Sequence, residues 1–466
     1  MQTDTLDIAD TSPQDWKYIS EGGSTIVFSY VGPPNARFDR TALRLRKGPT
    51  QAHEDPEKYQ KSQLAQEEEH TIENAPVDAG SSLDDLSEPD DPTIVFQRTV
   101  IEQLMPIEHL PRLQSVHVER AWLEKLAERT EPLRPHERRA KDTIDRGRRK
   151  AVLATDLVGG AGWAVEIKPK WGFLPNPTHL SLETRAIKTR TCRFCMHAHM
   201  KSTQGEDVAL GYCPLDLYSG DAARVEQALR ALWDVWVGTG GKVNNLRVFV
   251  EGKMVKPRAD LESLAPLTTQ LFPASTNPDS AHPLDTLRDA FISTLLPLLM
   301  HTPVLRTLST LQRTLDALDI EGLAALWSRV HPTMPLGTGP AARDPDMAEW
   351  ARFISVRAAR GAQDNAEEDH VVPETQEELR YRVAAYLLGA SFKDCSIILR
   401  MQPRTTDTGA DVGGTVTVID LDVKGVDRLA KWAALDREIV DAYRGVAPRD
   451  CVDAHYDGGG GGVPLA

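Results

Sequence analysis

Cysteine is scarce in this chain. Only five occur in 466 residues, at Cys192, Cys195, Cys213, Cys395 and Cys451. An odd, scattered set offers no disulfide framework and fits a reducing compartment. No apolar run is long enough to cross a bilayer, so no membrane association is expected. The start, Met1 to Asp7, is polar and acidic, without a visible secretory signal, which makes nucleus or cytoplasm the expected address. A Gly-x-x-x-x-Gly-Lys-Ser/Thr phosphate loop is missing as well. Positive charge is in deficit, with a net charge of −14, which argues against general nucleic-acid binding.

That deficit is concentrated. Gln51 to Asp91 holds thirteen Asp and Glu against two Lys and few large apolar groups, the composition of a disordered insertion. The remainder is nearly balanced, so a local cationic cleft for a small anion is allowed. Around that insertion, Asp15 to Lys47 reads as three strands with a glycine turn at Gly22-Gly23-Ser24, and Thr93 to Phe96 has strand character. Val118, Trp122 and Leu126 form a helical stripe, as do Val225, Leu229, Leu232, Trp233 and Trp236 behind a capping Asp221. Ala151 to Leu153 is a short strand before a flexible Gly159-Gly160-Ala161-Gly162, where two lobes could hinge. Leu284 to Trp327, Glu377 to Leu388 and Leu429 to Tyr443 read as helices, and Cys395 to Met401 and Thr415 to Leu421 as strands. Gly337 to Asp346 and Gly361 to Pro373 read as loops, and Gly458 to Gly462 as a flexible glycine tail. The expected division is 1–155, 156–450 and a tail over 451–466.

Several clusters could carry chemistry. Glu166, Lys168 and Lys170 alternate along one short segment and would share a strand face, either as a solvated edge or as a phosphate and metal site. The Gly22-Gly23-Ser24 turn could lay amides over phosphates or be a plain hairpin, and Arg44 could be a phosphate cation or surface charge. Cys192, Cys195, His197 and His199 include four potential zinc ligands, but crowded into eight residues rather than two separated pairs. The alternative there is a basic helix face of Arg193, His197 and Lys201 at four-residue spacing. Asn244, Asn245 and Arg247 offer donors to phosphates, and Asn-Asn equally suits a turn. Asp394, before an apolar strand, could accept a hydroxyl proton. Asp420, at a strand end, could hold Mg²⁺, with Lys424 and Arg428 four residues apart beyond it.

Together these segments resemble the inositol-pentakisphosphate 2-kinase family. The residues that carry the resemblance are Glu21-Gly-Gly-Ser24, Leu43-Arg-Leu-Arg46, and Glu166-Ile-Lys-Pro-Lys170 with Gly172-Phe-Leu-Pro175. They continue with Cys192-Arg-Phe-Cys-Met-His197 and Lys201, Tyr212-Cys-Pro-Leu-Asp-Leu-Tyr-Ser-Gly220 and Asn244-Asn-Leu-Arg247. Lys393-Asp-Cys-Ser396 and Ile419-Asp-Leu-Asp-Val-Lys424 complete the set. The resemblance implies a two-lobed, kinase-like α+β fold, with a smaller β-rich N-lobe and a larger α+β C-lobe with helical insertions. It implies transfer of the γ-phosphoryl group of ATP, with Mg²⁺, to the 2-hydroxyl of inositol 1,3,4,5,6-pentakisphosphate; a monomer is the default expectation. A non-catalytic inositol-phosphate sensor is the alternative.

Carried over by position, Asp394 would be the general base, Asp420 the Mg²⁺ ligand, and Lys168 would sit between the substrates. Gly22, Gly23, Ser24, Arg44, Glu166 and Arg247 would face ATP. Lys170, His197, Lys201, Asn244, Asn245, Lys424 and Arg428 would hold inositol phosphates, with Arg134 as a further anchor. Arg193 belongs to the motif without an assigned role. Two departures from the family pattern stand out: Gly425 in place of a proline, and Gly48-Pro49-Thr50 where plant members carry a basic residue that Arg46 or Lys47 would replace.

Overall fold

The computed structural model describes residues 6–49, 88–272, 283–339, 342–361, 372–401 and 413–454. Most of the expected acidic insertion, the glycine tail and most of the loop over 361–373 lie outside those residues. The fold is mixed α and β. The chain divides into two compact units, one of Met1–Val95 and Arg112–Gly160, the other of Phe96–Pro111 and Ala161–Ala466.

The first unit is built on strands β1 (Leu6–Asp7), β2 (Trp16–Glu21), β3 (Thr25–Tyr30), β4 (Thr41–Pro49), β5 (Leu113–His117), β6 (Asp142–Ile144) and β7 (Lys150–Thr155). Their order is β1-β5-β7-β4-β3-β2, with β6 on β4. Alternation places Ile26, Phe28, Leu43 and Leu45 on one face, where they meet Trp122, Leu123 and Leu126 of the helix Arg120–Thr130. Val118 is buried with them but precedes that helix.

Thr93 to Phe96, expected as strand, lies instead in a helix, Pro92–Thr99. Asp91 accepts a hydrogen bond from the Thr93 amide at 2.9 Å and Pro92 opens the first turn, so the cap overrides a short β-branched run. The last four residues of the expected disordered stretch, Glu88 to Asp91, are instead held in place. Glu88 accepts from the amides of Arg149 (2.7 Å) and Lys150 (3.1 Å), and Asp91 takes the Arg46 guanidinium at 2.6 and 2.7 Å.

A buried charge cluster joins the β2–β3 hairpin to β4 and β6. The Arg134 guanidinium, wholly inaccessible, meets Glu21 at 2.9 Å and Asp142 at 2.5 Å, and Lys47 meets Glu21 at 2.7 Å and Asp142 at 3.1 Å. Burial would raise the Glu21 carboxyl, but the bonds and charges of Arg134 and Lys47 hold it below the usual range.

The second unit carries an antiparallel sheet of β8 (Trp163–Ile167), β9 (Leu246–Val250), β10 (Lys253–Met254), β11 (Ser396–Met401) and β12 (Gly414–Ile419), in the order β10-β9-β8-β11-β12. Helices cover it. Trp233 and Trp236 of the helix Ala222–Gly238 pack with Phe291 of Pro283–His301 and with Trp163. No single helix among the described residues is long and apolar enough to cross a membrane. The chain end is not loose from residue 451, as had been expected. Cys451 and Asp453 are buried, and Asp453 accepts from the Leu174 amide and from Arg313, both at 2.7 Å.

We predict that Arg134→Met lowers the stability of the first unit by roughly 3 kcal/mol, because Glu21 and Asp142 would keep buried charge with one cation fewer. Denaturant unfolding followed by Trp16 and Trp122 fluorescence measures this, and an unchanged midpoint would refute a structural role.

Candidate active site

Antiparallel pairing decides where the chemistry gathers. Ile167 pairs with Leu246 and with Ile397, and Ser396 pairs with Ile419. The C-terminal ends of β8 and β12 and the N-terminal ends of β9 and β11 therefore share one edge of the sheet. The segments that begin there are those holding Lys168 to Lys170, Asn244 to Asn245, Asp394 and Asp420.

Glu166, buried in β8, faces Arg247 across the ladder at 3.3 Å and accepts from the Ser396 hydroxyl at 2.8 Å. The same hydroxyl lies 3.3 Å from Asp420. Asp420 follows β12 directly and has φ of 62°, a left-handed conformation that Asp tolerates better than most residues. Lys168 extends to Asp420 (3.4 Å) and Glu166 (3.9 Å). Two carboxylates around one hydroxyl and one ammonium form an oxygen-rich set suited to a hard divalent cation.

Lys170 goes elsewhere. The strand ends at Ile167 and Pro169 contributes no amide, so Glu166, Lys168 and Lys170 do not continue along one strand face as expected. Lys170 has φ of 68°, and its ammonium lies 3.0 Å from Asp394. Lys424 reaches the other oxygen of Asp394 at 3.2 Å. Asp394 ends the helix Gln376–Asp394, one position before Cys395 leads into β11. Burial would raise its carboxyl, yet Lys170 and Lys424 hold it below the ordinary value, so it is ionised at neutral pH.

Asp394 opens onto a cavity of about 500 Å³. Its lining includes seven lysines and arginines against two aspartates. Lys170, Asn244, Asn245, Lys424 and Arg428 reach it from the sheet edge and the segment beyond β12, and the helix Arg193–Thr203 contributes Arg193, His197 and Lys201 from one face, as their spacing implied. Asn245 is partly committed, donating to the Lys168 carbonyl at 3.1 Å. Burial, with Arg193 and Lys201 nearby, pushes the His197 imidazole down to about 4, so it is neutral at pH 7.

Arg193 now has a role. Its guanidinium lies 4.9 Å over the Trp171 ring and 3.0 Å from Asp436, which Lys188 meets in turn at 2.8 Å. Trp171 and Lys242 line the cavity without having been singled out, as does Lys393, which had been named only as part of a motif. Gln312 was also missed. Buried, it donates to the carbonyls of Lys170 (3.1 Å) and Phe392 (3.0 Å), tying together the segments that carry Lys170 and Asp394. Tyr212 donates to the Pro169 carbonyl at 2.9 Å, and a Cβ on Gly172 would press into the Tyr218 ring at 2.7 Å. Those contacts explain why Gly172 and the Tyr212 to Gly220 block go together.

Other expected residues lie in the first unit. Gly22, Gly23 and Ser24 form an exposed hairpin turn with open space around both glycines, and Arg44 is half-buried on β4. Arg134 is no cavity residue; its guanidinium is buried and already engaged by carboxylates. Arg46 and Lys47, weighed as replacement phosphate anchors, are held by Asp91 and by Glu21 with Asp142. His197 and His199 do not join Cys192 and Cys195 in one metal site: His197 lines the cavity and His199 packs edge-on to Tyr443.

A basic cavity opening on an ionised carboxylate, beside the paired carboxylates Glu166 and Asp420, suits a phosphotransferase-type centre for a small polyanion. A family model described as inositol-pentakisphosphate 2-kinase matches residues 18–438, and the chain belongs to that family. A Cryptococcus neoformans var. neoformans serotype D protein named inositol-pentakisphosphate 2-kinase is 34% identical over 92% of this chain and 94% of its own length. The Oryza sativa subsp. indica protein named inositol-pentakisphosphate 2-kinase IPK1 is 27% identical over 94% of this chain and 96% of its own. An Arabidopsis thaliana protein named inositol-pentakisphosphate 2-kinase is 25% identical over 92% and 93%.

The lowered His197 value sets a sign. A group whose folded pKa lies below its unfolded value stabilises the fold above the unfolded pKa and loses that contribution as pH falls. We predict that the ligand-free protein loses thermal stability between pH 6.5 and about 4, and that His197→Gln loses less across that window. Parallel melting curves for the two proteins would contradict the assignment.

Proposed function

We propose that this protein is an ATP-dependent kinase that phosphorylates the 2-hydroxyl of inositol 1,3,4,5,6-pentakisphosphate to give the hexakisphosphate. The observation that carries the reading is Asp394, an ionised carboxylate held between Lys170 and Lys424 at a cavity whose charged lining residues are mainly cations. An acceptor with five phosphates needs that excess. At an effective dielectric near 20, one pair of unit charges 4 Å apart repels by about 4 kcal/mol. Lys170, Lys201, Lys424 and Arg428 offset such repulsion, while Asn244 and Arg193 supply directional donors.

Phosphoryl transfer asks little covalent help of the protein beyond position and charge. Asp394 accepts the proton of the acceptor hydroxyl as it attacks, and the bound polyanion draws Lys170 and Lys424 partly away from the carboxylate. Lys168 lies on the other side of the segment, where it meets charge that develops on the transferring group. Asp420, with Glu166 beside it, would hold Mg²⁺, which supplies charge neutralisation on the donor phosphates when bound. Arg247 is assigned to the donor phosphates, and in the first unit the open Gly22 to Ser24 turn and Arg44 keep that same assignment. We further assign the two compact units to the smaller and larger lobes of a kinase-like fold.

The test is transfer of labelled γ-phosphate from ATP to inositol pentakisphosphate, with the position of the new phosphate read by NMR. Asp394→Asn should lower kcat by roughly 10² to 10⁴-fold and leave binding of the inositol phosphate nearly unchanged. Binding without turnover in the wild-type chain would favour a sensor. Filling the cavity with phosphates should also raise the His197 pKa, so binding near pH 6 takes up a proton. Calorimetry in buffers of different ionisation enthalpy reads this uptake, and equal values for wild type and His197→Gln would exclude it.

A further inference from the structure

Glutamine is mostly an exposed residue, yet Gln312, on the helix Val304–Leu315, is wholly buried. Its polar atoms therefore need protein partners. Oε1 accepts from the Gly172 amide at 2.7 Å. Nε2 lies 3.1 Å from the Lys170 carbonyl, 3.0 Å from the Phe392 carbonyl and 3.2 Å from the Tyr218 hydroxyl. These neighbours fix which end is which. A backbone N–H can only donate and a carbonyl can only accept, so the flipped amide would leave both ends mismatched.

Both carbonyls sit where the backbone's own bonding runs out. Phe392 lies in the last turn of the helix Gln376–Asp394, where carbonyls lack an intrahelical partner. Lys170 is left-handed, a conformation that a lysine keeps only when its surroundings hold it. The Cys395 thiol also reaches the Phe392 carbonyl (3.1 Å), and the Tyr218 hydroxyl the Lys170 carbonyl (3.5 Å). Of these three side chains, only Gln312 touches both carbonyls. Two residues beyond Phe392 stands Asp394, whose carboxylate the Lys170 ammonium meets.

We propose that Gln312 is a positioning residue for phosphoryl transfer, holding the Lys170 and Phe392 carbonyls at a fixed separation and so setting Lys170 against the base Asp394. The inference rests on the kinase reading. Gln312 is not part of the cavity lining, so its loss acts through Lys170 and Asp394. Of the charged groups around that carboxylate, Lys170 and Lys424 touch it. Lys393, on the same helix, turns away to Asp316 at 2.7 Å, and burial pushes the Cys395 thiol up to about 12, so it stays neutral. A displaced Lys170 would let the Asp394 carboxyl rise toward its ordinary value, and the acid limb of kcat/KM would move to higher pH.

Gln312→Met keeps the length of the side chain and removes the amide. Its kcat should fall roughly 10- to 100-fold, with the calorimetric Kd for inositol pentakisphosphate within about threefold of wild type. Its acid limb should shift upward. Ser309→Ala is the control. Ser309 is equally buried on the same helix, donates to the Gly172 carbonyl at 2.8 Å, and is bonded to neither the Lys170 nor the Phe392 carbonyl. That variant should melt at a lower temperature and keep kcat within about twofold. Wild-type kcat in Gln312→Met, an unmoved acid limb, or an equal loss of rate in both variants would overturn the proposal. If Gln312→Met fails to fold, Gln312→Glu decides, since its carboxyl carries at most one hydrogen to the two carbonyls; wild-type kcat there is again a refutation. Failure of both to fold would make Gln312 a residue of folding alone and reject the positioning role. The wild-type chain is assayed alongside. Absence of transfer there sinks the kinase reading and this inference with it, whereas equal transfer by wild type and Gln312→Met sinks this inference alone.

Discussion

Repulsion among cations has to be offset before any ligand arrives, and the second unit is arranged around that constraint. Lysines and arginines crowded round one cavity push against each other and pay a desolvation cost. Several of them lean on a neighbouring acid. Lys170 and Lys424 share Asp394, Arg193 has Asp436, Lys393 has Asp316, and Lys201 has Glu206. The resting cavity is thus a set of provisional ion pairs. An incoming polyanion replaces those partners, so selectivity depends on outcompeting fixed carboxylates as well as on raw attraction.

The sheet edge makes this arrangement possible. Four strand ends lie side by side, and each strand end hands its next residues to the site. Fixed hydrogen-bond register sets Glu166 against Arg247 and brings Ser396 between Glu166 and Asp420. Buried Gln312 and Tyr212 then hold the irregular backbone after β8, where ladder bonds stop.

Much of this was legible in the sequence, though unevenly. The three strands before Lys47, the helix from Ala222 and the basic face of Arg193, His197 and Lys201 follow from periodicity, and periodicity survives in the structure because one face of each element is buried. The helix Pro92–Thr99 was not legible, since the four-residue run Thr93 to Phe96 carries no period and its cap lay in what looked like a disordered acidic tract. The divergence of Lys168 from Lys170 was hidden by the strand's end and a positive φ. The buried cluster of Cys192, Cys195, Cys213 and Cys451 was not legible because Cys213 and Cys451 lie outside the local motif that holds the first two. Arg134 misled for the opposite reason: a motif-adjacent arginine carries no mark that tells a ligand anchor from an internal counter-ion.

The short path from Ile167 to Lys170 works as a spacer of fixed length. One proline separates two lysines that serve different acids, one at Asp420 and the other at Asp394. Adding or removing a single residue there would hand each amine to the wrong neighbour while leaving the charge of the protein almost the same. Insertions are commonly tolerated in connections outside regular elements, but this one is as intolerant of a change in length as a strand in the middle of a sheet.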